Sequence, residues 1–264
     1  MSAGIDRSSA PRSLKQVERL RTRIRLLERV GAGDGPRLEI GIPAIDQALG
    51  SGDLAGLTLG CLHEVSGPSG DGASVAFTLW LAGRIAESEK VLWVGCGAPP
   101  YPPGMVEFGL DPARLVHIRP HKQGDIAWVL EEAARTGAAP VVVGDLGFHK
   151  KGLGLTASRR LQLACEPFGT TLLLLASGME SATGSTALSR WRIESLSSAA
   201  SSQTVPTGRL LGRPAWQMTL LRARGGRPGS WPVTWLGRDR GVVLGQPYPV
   251  EKAGLVERQA ANAA

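Results

Sequence analysis

The sequence predicts an α/β fold: a mostly parallel sheet covered by helices, with antiparallel strands towards its carboxyl end and an amphipathic helix in front. Three observations carry this expectation. Residues 90–95 (KVLWVG), 140–144 (PVVVG) and 170–176 (TTLLLLA) are continuous apolar runs of strand length, the pattern of strands buried on both faces. Segments of helical periodicity separate them, as in a sheet built from strand–helix–strand units. With 264 residues, 42% of them hydrophobic and 20% charged, the chain can bury a sizeable core and falls outside the composition of disordered proteins.

In chain order, residues 1–12 read as a flexible tail. Between 13 and 30, Leu14, Val17, Leu20, Ile24 and Leu27 recur at spacings of three and four, which makes one apolar stripe on a helix. Ser13 is a suitable N-cap. Arg19, Arg21, Arg23, Arg25 and Arg29 make this helix basic, and Gly31, Gly33 and Gly35 end it as a hinge, so 13–35 form one unit. The main domain is expected over 36–250, with a frayed tail over 251–264. Its first elements are a short helix at 45–49, a strand at 58–65 and a glycine-rich turn at 66–72. A helix at Ala73–Ala86 follows, with Val75, Leu79, Ala82 and Ile85 on one face. Then come the strand at 90–95, a short helix at 104–108 and a strand at Leu115–Ile118. The helix at 125–136 points Ile126, Val129, Leu130 and Ala133 inward. A strand at 140–144 ending in Asp145, a helix at 158–167 and a strand at 170–176 complete the parallel part. Residues 190–196, 216–222, 233–236 and Val242–Leu244 read as strands that extend the sheet antiparallel, and 195–206 (SLSSAASSQTVP) is low in complexity.

Composition excludes several classes. No apolar run reaches the length of a membrane helix, and MSAGIDRSSAPRSLK has no apolar signal core, so a cytoplasmic protein is expected. Cys61, Cys96 and Cys165 are few and far apart. His63 near Cys61 and His117 near His121 complete no ligand tetrad, so no metal is expected. The net charge of +7 is concentrated: residues 1–30 hold eight Lys/Arg against three Asp/Glu, and 209–240 hold seven Arg against one Asp. Such basic ends suit a polyanion or an acidic protein partner, and equally a solvated basic surface.

The strand–turn–helix around residue 67 has the place of a phosphate loop. That chemistry needs GxxxxGK[ST]: glycines let amides wrap the phosphates, Lys reaches them, and the hydroxyl holds Mg²⁺. Here Gly67, Gly72 and Ser74 hold their places, but Ala73 stands where Lys is needed and Asp71 adds a negative charge. Asp145, at the end of an apolar strand, has the place of a metal-orienting acid and is also a candidate turn cap. The residues leave two readings: a glycine turn retained for the fold, or a degenerate nucleotide site formed by Gly67, Gly72, Ser74 and Asp145. A serine hydrolase is excluded, because Ser66-Gly67 and Ser69-Gly70 do not form a nucleophile elbow and His149 reads as a loop residue.

Over residues 13–245 the chain resembles the RecA-like recombinase fold. IGIPAIDQALGSGDLAGLTLGCLHEVSGPSGDGAS has the spacing of the recombinase's entry into its phosphate loop. VEFGLDPARLVHIRP, PVVVGD, ATGSTALSRWRIESL and WQMTLLRARGGRPGSWPVTW resemble, in turn, its second-to-third strand link, its acid-bearing strand, its second DNA loop with the next strand, and its final hairpin. The departures are Ala73 for the loop Lys, Gly95-Cys96-Gly97-Ala98 where the water-activating Glu would stand, Ser177-Gly178 for the nucleotide-sensing Gln, two short DNA loops and no C-terminal domain. A RecA-like core without its ATP parts, together with WRIESL and LLRARGGRPGSW, is similar to the ImuA family. The cell-division inhibitor SulA shares this degenerate ancestry.

That resemblance implies a non-enzymatic accessory protein of SOS-induced, error-prone translesion DNA synthesis. It would have no cofactor and would bind ImuB, RecA and, indirectly, an alternative DNA polymerase III alpha-type subunit. The alternative is a SulA-like or RecA-modulating binder of DNA or nucleotide that acts without ImuB. The docking element expected from the resemblance is the basic helix, through Val17, Leu20, Ile24 and Leu27. DNA is a candidate partner through Lys150, Lys151, Arg222, Arg224 and Arg227, with Trp231 and Trp235 as candidate stacking groups, although a strand buries alternate residues and at least one of the two is expected in the core.

Overall fold

Residues 35–147, 152–178, 184–197 and 212–245 are described by the structure, a computed structural model. The expected helix at 13–30, with Val17, Leu20, Ile24 and Leu27, lies outside the described residues, as do Lys150 and Lys151.

β1 (Arg37–Leu38) pairs antiparallel with β2 (Leu57–Thr58). Between them lies α1 (Pro43–Leu49), opened by a proline in the first turn, where the missing N–H is no loss. Asp46 fixes the entry by accepting from the amides of Ile40 at 2.6 Å and Gly41 at 3.1 Å. The strand expected over 58–65 is interrupted. Gly60 turns with φ +72°, and a Cβ there would stand 3.2 Å from the Cα of Gly169, so the chain leaves β2 and re-enters as β3 (Leu62–Gly67).

The remaining elements are α2 (Ala73–Ala86), β4 (Val91–Gly95), α3 (Pro102–Glu107), β5 (Leu115–Ile118), α4 (Ile126–Thr136), β6 (Val141–Asp145), α5 (Gly154–Cys165) and β7 (Thr171–Ser177). β8 (Ser189–Leu196), β9 (Ala215–Ala223), β10 (Gly229–Trp235) and β11 (Val242–Leu244) close the described chain. α3 starts earlier than its apolar pattern because Pro102 and Pro103 suit a first turn, and α5 starts at Gly154 rather than 158.

The main sheet has the order β11-β10-β9-β8-β3-β7-β6-β4-β5. Its strands from β8 to β5 are parallel, and β9, β10 and β11 add antiparallel. The expectation that all four late strands run antiparallel is therefore corrected at β8, which pairs parallel to β3 with His63 opposite Ser189. β7 and β8 both run parallel to β3, so β8 starts at the same end of the sheet as β3.

The pleat sorts the strand residues into two cores. On one face Val65, Trp93, Val143, Leu173, Leu175, Trp191 and Ile193 pack with α1 and α2. On the other, Leu62, Val94, Val142, Leu172 and Leu174 pack with α4 and α5. α2 is buried around most of its girth, from Ala73 and Ser74 through Phe77, Trp80 and Leu81. Its aromatic residues meet the late strands: Trp80 lies 6.1 Å from Trp235, which also contacts Trp216 at 5.9 Å and Phe108 at 5.1 Å between ring centroids. Trp235 is 1% exposed, so the expectation that it stacks on nucleobases is corrected: alternation along β10 sends it into the core. Trp231 is half-buried, and its ring covers Gly229, where a Cβ would meet it at 2.4 Å.

Candidate functional site

The turn from Gly67 to Ala73 lies at the carboxyl end of β3, between β7 and β8. The chain leaves β3 for β4, two strands beyond β7, and this is where open α/β sheets place ligands. Of the motif glycines, Gly67 is fixed by space: a Cβ would stand 2.6 Å from the Ile193 carbonyl oxygen and 3.0 Å from Ser74 Oγ. Gly72 is not, because its φ of −72° suits any residue and nothing lies within 4 Å of an added Cβ.

Asp71 takes the position facing the start of α2. Its carboxylate accepts from the Ala73 amide at 2.9 Å and the Ser195 amide at 2.7 Å, and it receives a further hydrogen bond from the Ser195 hydroxyl. Burial pushes its pKa up, but the Ser195 hydroxyl, the Ser195 amide and the Ala73 amide outweigh it and hold the carboxyl below its ordinary range. Ser74 is fully buried, and its Oγ has no hydrogen-bond partner among the described residues. The hydroxyl that would hold a metal is enclosed against Gly67 rather than presented to solvent.

Asp145 ends β6, separated from β3 by β7. Its Oδ1 accepts from the Gly147 amide at 2.9 Å, which makes it a turn cap. Burial raises its pKa, against the Gly147 amide, the Trp93 side chain and the charge of His117. A Cβ on Gly95 would stand 3.0 Å from Asp145 Cβ, so β4 passes close beside it. Beyond β4, in the turn without an acid, Cys96 donates to the Pro120 carbonyl at 3.5 Å, and its own carbonyl accepts from Arg119 Nε at 3.1 Å.

Among the described residues, the basic side chains named from the sequence do not meet at this loop. Arg222, Arg224 and Arg227 lie at the opposite, amino end of the parallel strands, since Arg222 is level with Arg190 and the β9–β10 turn rests on α1. Arg222 donates to the Ser185 carbonyl at 3.1 Å, and the Arg227 amide to the Ala48 carbonyl at 2.8 Å.

Two polar networks inside the sheet, one partly buried and one fully buried, are not expected from the sequence. Glu64 and Arg190, register partners on β3 and β8, pair at 2.9 Å with less than a fifth of either side chain exposed. His63 is 1% exposed. Its Nε2 donates to the Thr58 carbonyl at 2.7 Å, so Nδ1 accepts from the Ser189 hydroxyl at 2.6 Å, and that oxygen accepts from Trp191 Nε1 at 3.0 Å. Cys61 Sγ lies 3.2 Å from both the Thr58 oxygen and His63 Nε2. Burial lowers the His63 pKa to about 4, which keeps the ring neutral, and pushes the Cys61 thiol up, so the thiol is not a nucleophile near neutrality. The adjacency of Cys61 and His63 is the signal that marks this network. Ser189, far off in sequence, leaves none.

Among the described residues, no helix is long and apolar enough to cross a membrane. No family model matches the chain. It is 35% identical over 211 residues to Protein ImuA of Caulobacter vibrioides, in each of two strains, a match covering 74% of this chain and 82% of that protein.

Proposed function

The chain belongs to the ImuA family, and from that premise we propose that it is a non-catalytic adaptor of SOS-induced, error-prone translesion DNA synthesis. In this reading it binds ImuB, engages RecA, and reaches an alternative DNA polymerase III alpha-type subunit indirectly. The observation that carries the non-catalytic part is the state of the loop. Ala73 removes the cation that would meet a triphosphate, a charge-assisted contact worth roughly 1.5–3 kcal/mol. A carboxylate faces the helix start instead, and the Ser74 hydroxyl is enclosed.

ImuB docking is assigned to the basic helix, whose Val17, Leu20, Ile24 and Leu27 have the spacing of groove anchors. Its arginines would meet an acidic rim and speed association more than they strengthen it. Direct DNA binding is the second reading; Arg222, Arg224 and Arg227, gathered at the amino end of the sheet, favour it.

Steady-state phosphate release at saturating Mg-ATP and single-stranded DNA tests the non-catalytic reading. Turnover is expected to stay at background, and Ala73→Lys alone leaves it there because the turn after β4 supplies no base. Turnover abolished by Ser74→Ala or Asp145→Ala would overturn it.

A further inference from the structure

We propose that Asp71 is the resident anion of the glycine-rich loop: its carboxylate occupies the phosphate position at the start of α2 and clasps the loop to β8 through Ser195. The inference rests on reading the loop as a degenerate nucleotide site. The first turn of a helix leaves amide donors without intrahelical acceptors, and it concentrates positive potential. α2 is 14 residues long, and the Ala73 amide at its start is spent on Asp71 Oδ1. A phosphate there would need that donor and would meet the carboxylate's charge at contact distance.

Three further features fit a site that is occupied rather than erased. Ser74 Oγ is fully buried, has no partner among the described residues, and faces Gly67 across the loop: a hydroxyl left over from an anion cradle and unused by the carboxylate. Gly67 remains obligatory by space, so the backbone keeps the close approach that such a cradle needs. Ser195 supplies two donors from a neighbouring strand, 124 residues away, so that the carboxylate has donors on both oxygens as a bound anion would. One negative charge within the chain thus satisfies a helix end that has lost its lysine, and the loop stays tied to β8 without ligand.

The probe is inorganic phosphate, titrated into the full ¹⁵N-labelled chain while the amide signals of Ala73, Ser74 and Ser195 are followed. Wild type is expected to show no saturable shift at millimolar phosphate. Asp71→Ser should bind phosphate at least about tenfold more tightly, the effect of removing one like charge at contact distance, with Ala73 and Ser74 shifting together. Asp71→Asn keeps the shape, covers the case in which the serine variant fails to fold, and should gain at least about threefold. Wild type binding as tightly as the folded variants, or a folded variant whose Ala73 and Ser74 amides do not respond, would overturn the clasp. Neither result bears on ATP turnover, so failure of the clasp and failure of the non-catalytic reading are separable.

Discussion

Replacing Trp235 with alanine lowers the unfolding free energy by about 3–5 kcal/mol, measured by urea denaturation of the full chain. The side chain is 1% exposed and contacts three other aromatic rings, those of Trp80, Phe108 and Trp216. Alanine leaves a cavity lined by rigid rings that cannot collapse together. It also removes the hydrogen bond that Trp235 Nε1 donates to Glu107 Oε1 at 3.1 Å, a smaller loss because Glu107 is exposed and water replaces the donor. Because Trp80 lies on α2 and Trp216 on β9, this one residue joins the antiparallel strands to the helix that begins at the loop. Trp235→Phe keeps most of the volume and is expected to cost about half as much. A loss under about 1 kcal/mol for the alanine variant would show that the late strands are not part of the cooperative core.

The second large effect is a pH dependence. His63 is held neutral, with a folded pKa of about 4 against an ordinary value of 6.5. Above pH 6.5 both folded and unfolded chains carry the neutral ring, and the histidine contributes its full stability. As pH falls from 6.5 towards 4, the unfolded chain takes up the proton and the folded chain does not, so stability is lost across that window. The loss amounts to about 3 kcal/mol once pH is below 4. His63→Gln keeps a donor for the Thr58 carbonyl and removes the titration. The wild-type minus variant difference in unfolding free energy therefore isolates His63 from carboxylates such as Asp71, which also lose stability in acid. Equal pH slopes for the two proteins between 6.5 and 4 would contradict the assignment.

Much of the fold was readable because its strands are buried on both faces. The runs around Val91, Val141 and Leu172 have no polar interruption; the observed β4 differs from its run by one residue at one end, and β6 and β7 by one residue at each end. α2 matches its expected bounds because Gly72 and Glu87 bracket a continuous helical pattern. The break between β2 and β3 was hidden, since a single glycine within a strand-like stretch does not by itself announce a turn, and this one depends on the positive φ of Gly60 against Gly169. Strand direction leaves no mark on hydrophobic pattern, which is why the parallel pairing of β8 with β3 was missed.

At the loop, the residue types announced the loss of the lysine and the intrusion of Asp71. Its partner Ser195 could not be found, because nothing local links residues 124 apart. Trp235 was readable as apolar, and its direction into the core followed only from which face of β10 the sheet covers.

An adaptor that works without nucleotide turnover binds its partner alike in the presence and absence of nucleotide, so the decisive measurement is the affinity of the full chain for purified ImuB with and without Mg-ATP. The predicted result is a complex whose dissociation constant is the same in both conditions and is weakened about a hundredfold or more by Leu20→Asp with Ile24→Asp. Two leucine-sized anchors are each worth roughly 1.5–3 kcal/mol when buried, and the new carboxylates would be stranded in an apolar groove. Circular dichroism of the double variant checks that its core is folded. A complex that forms only with Mg-ATP, or one that a folded double variant makes as tightly as wild type, would contradict it.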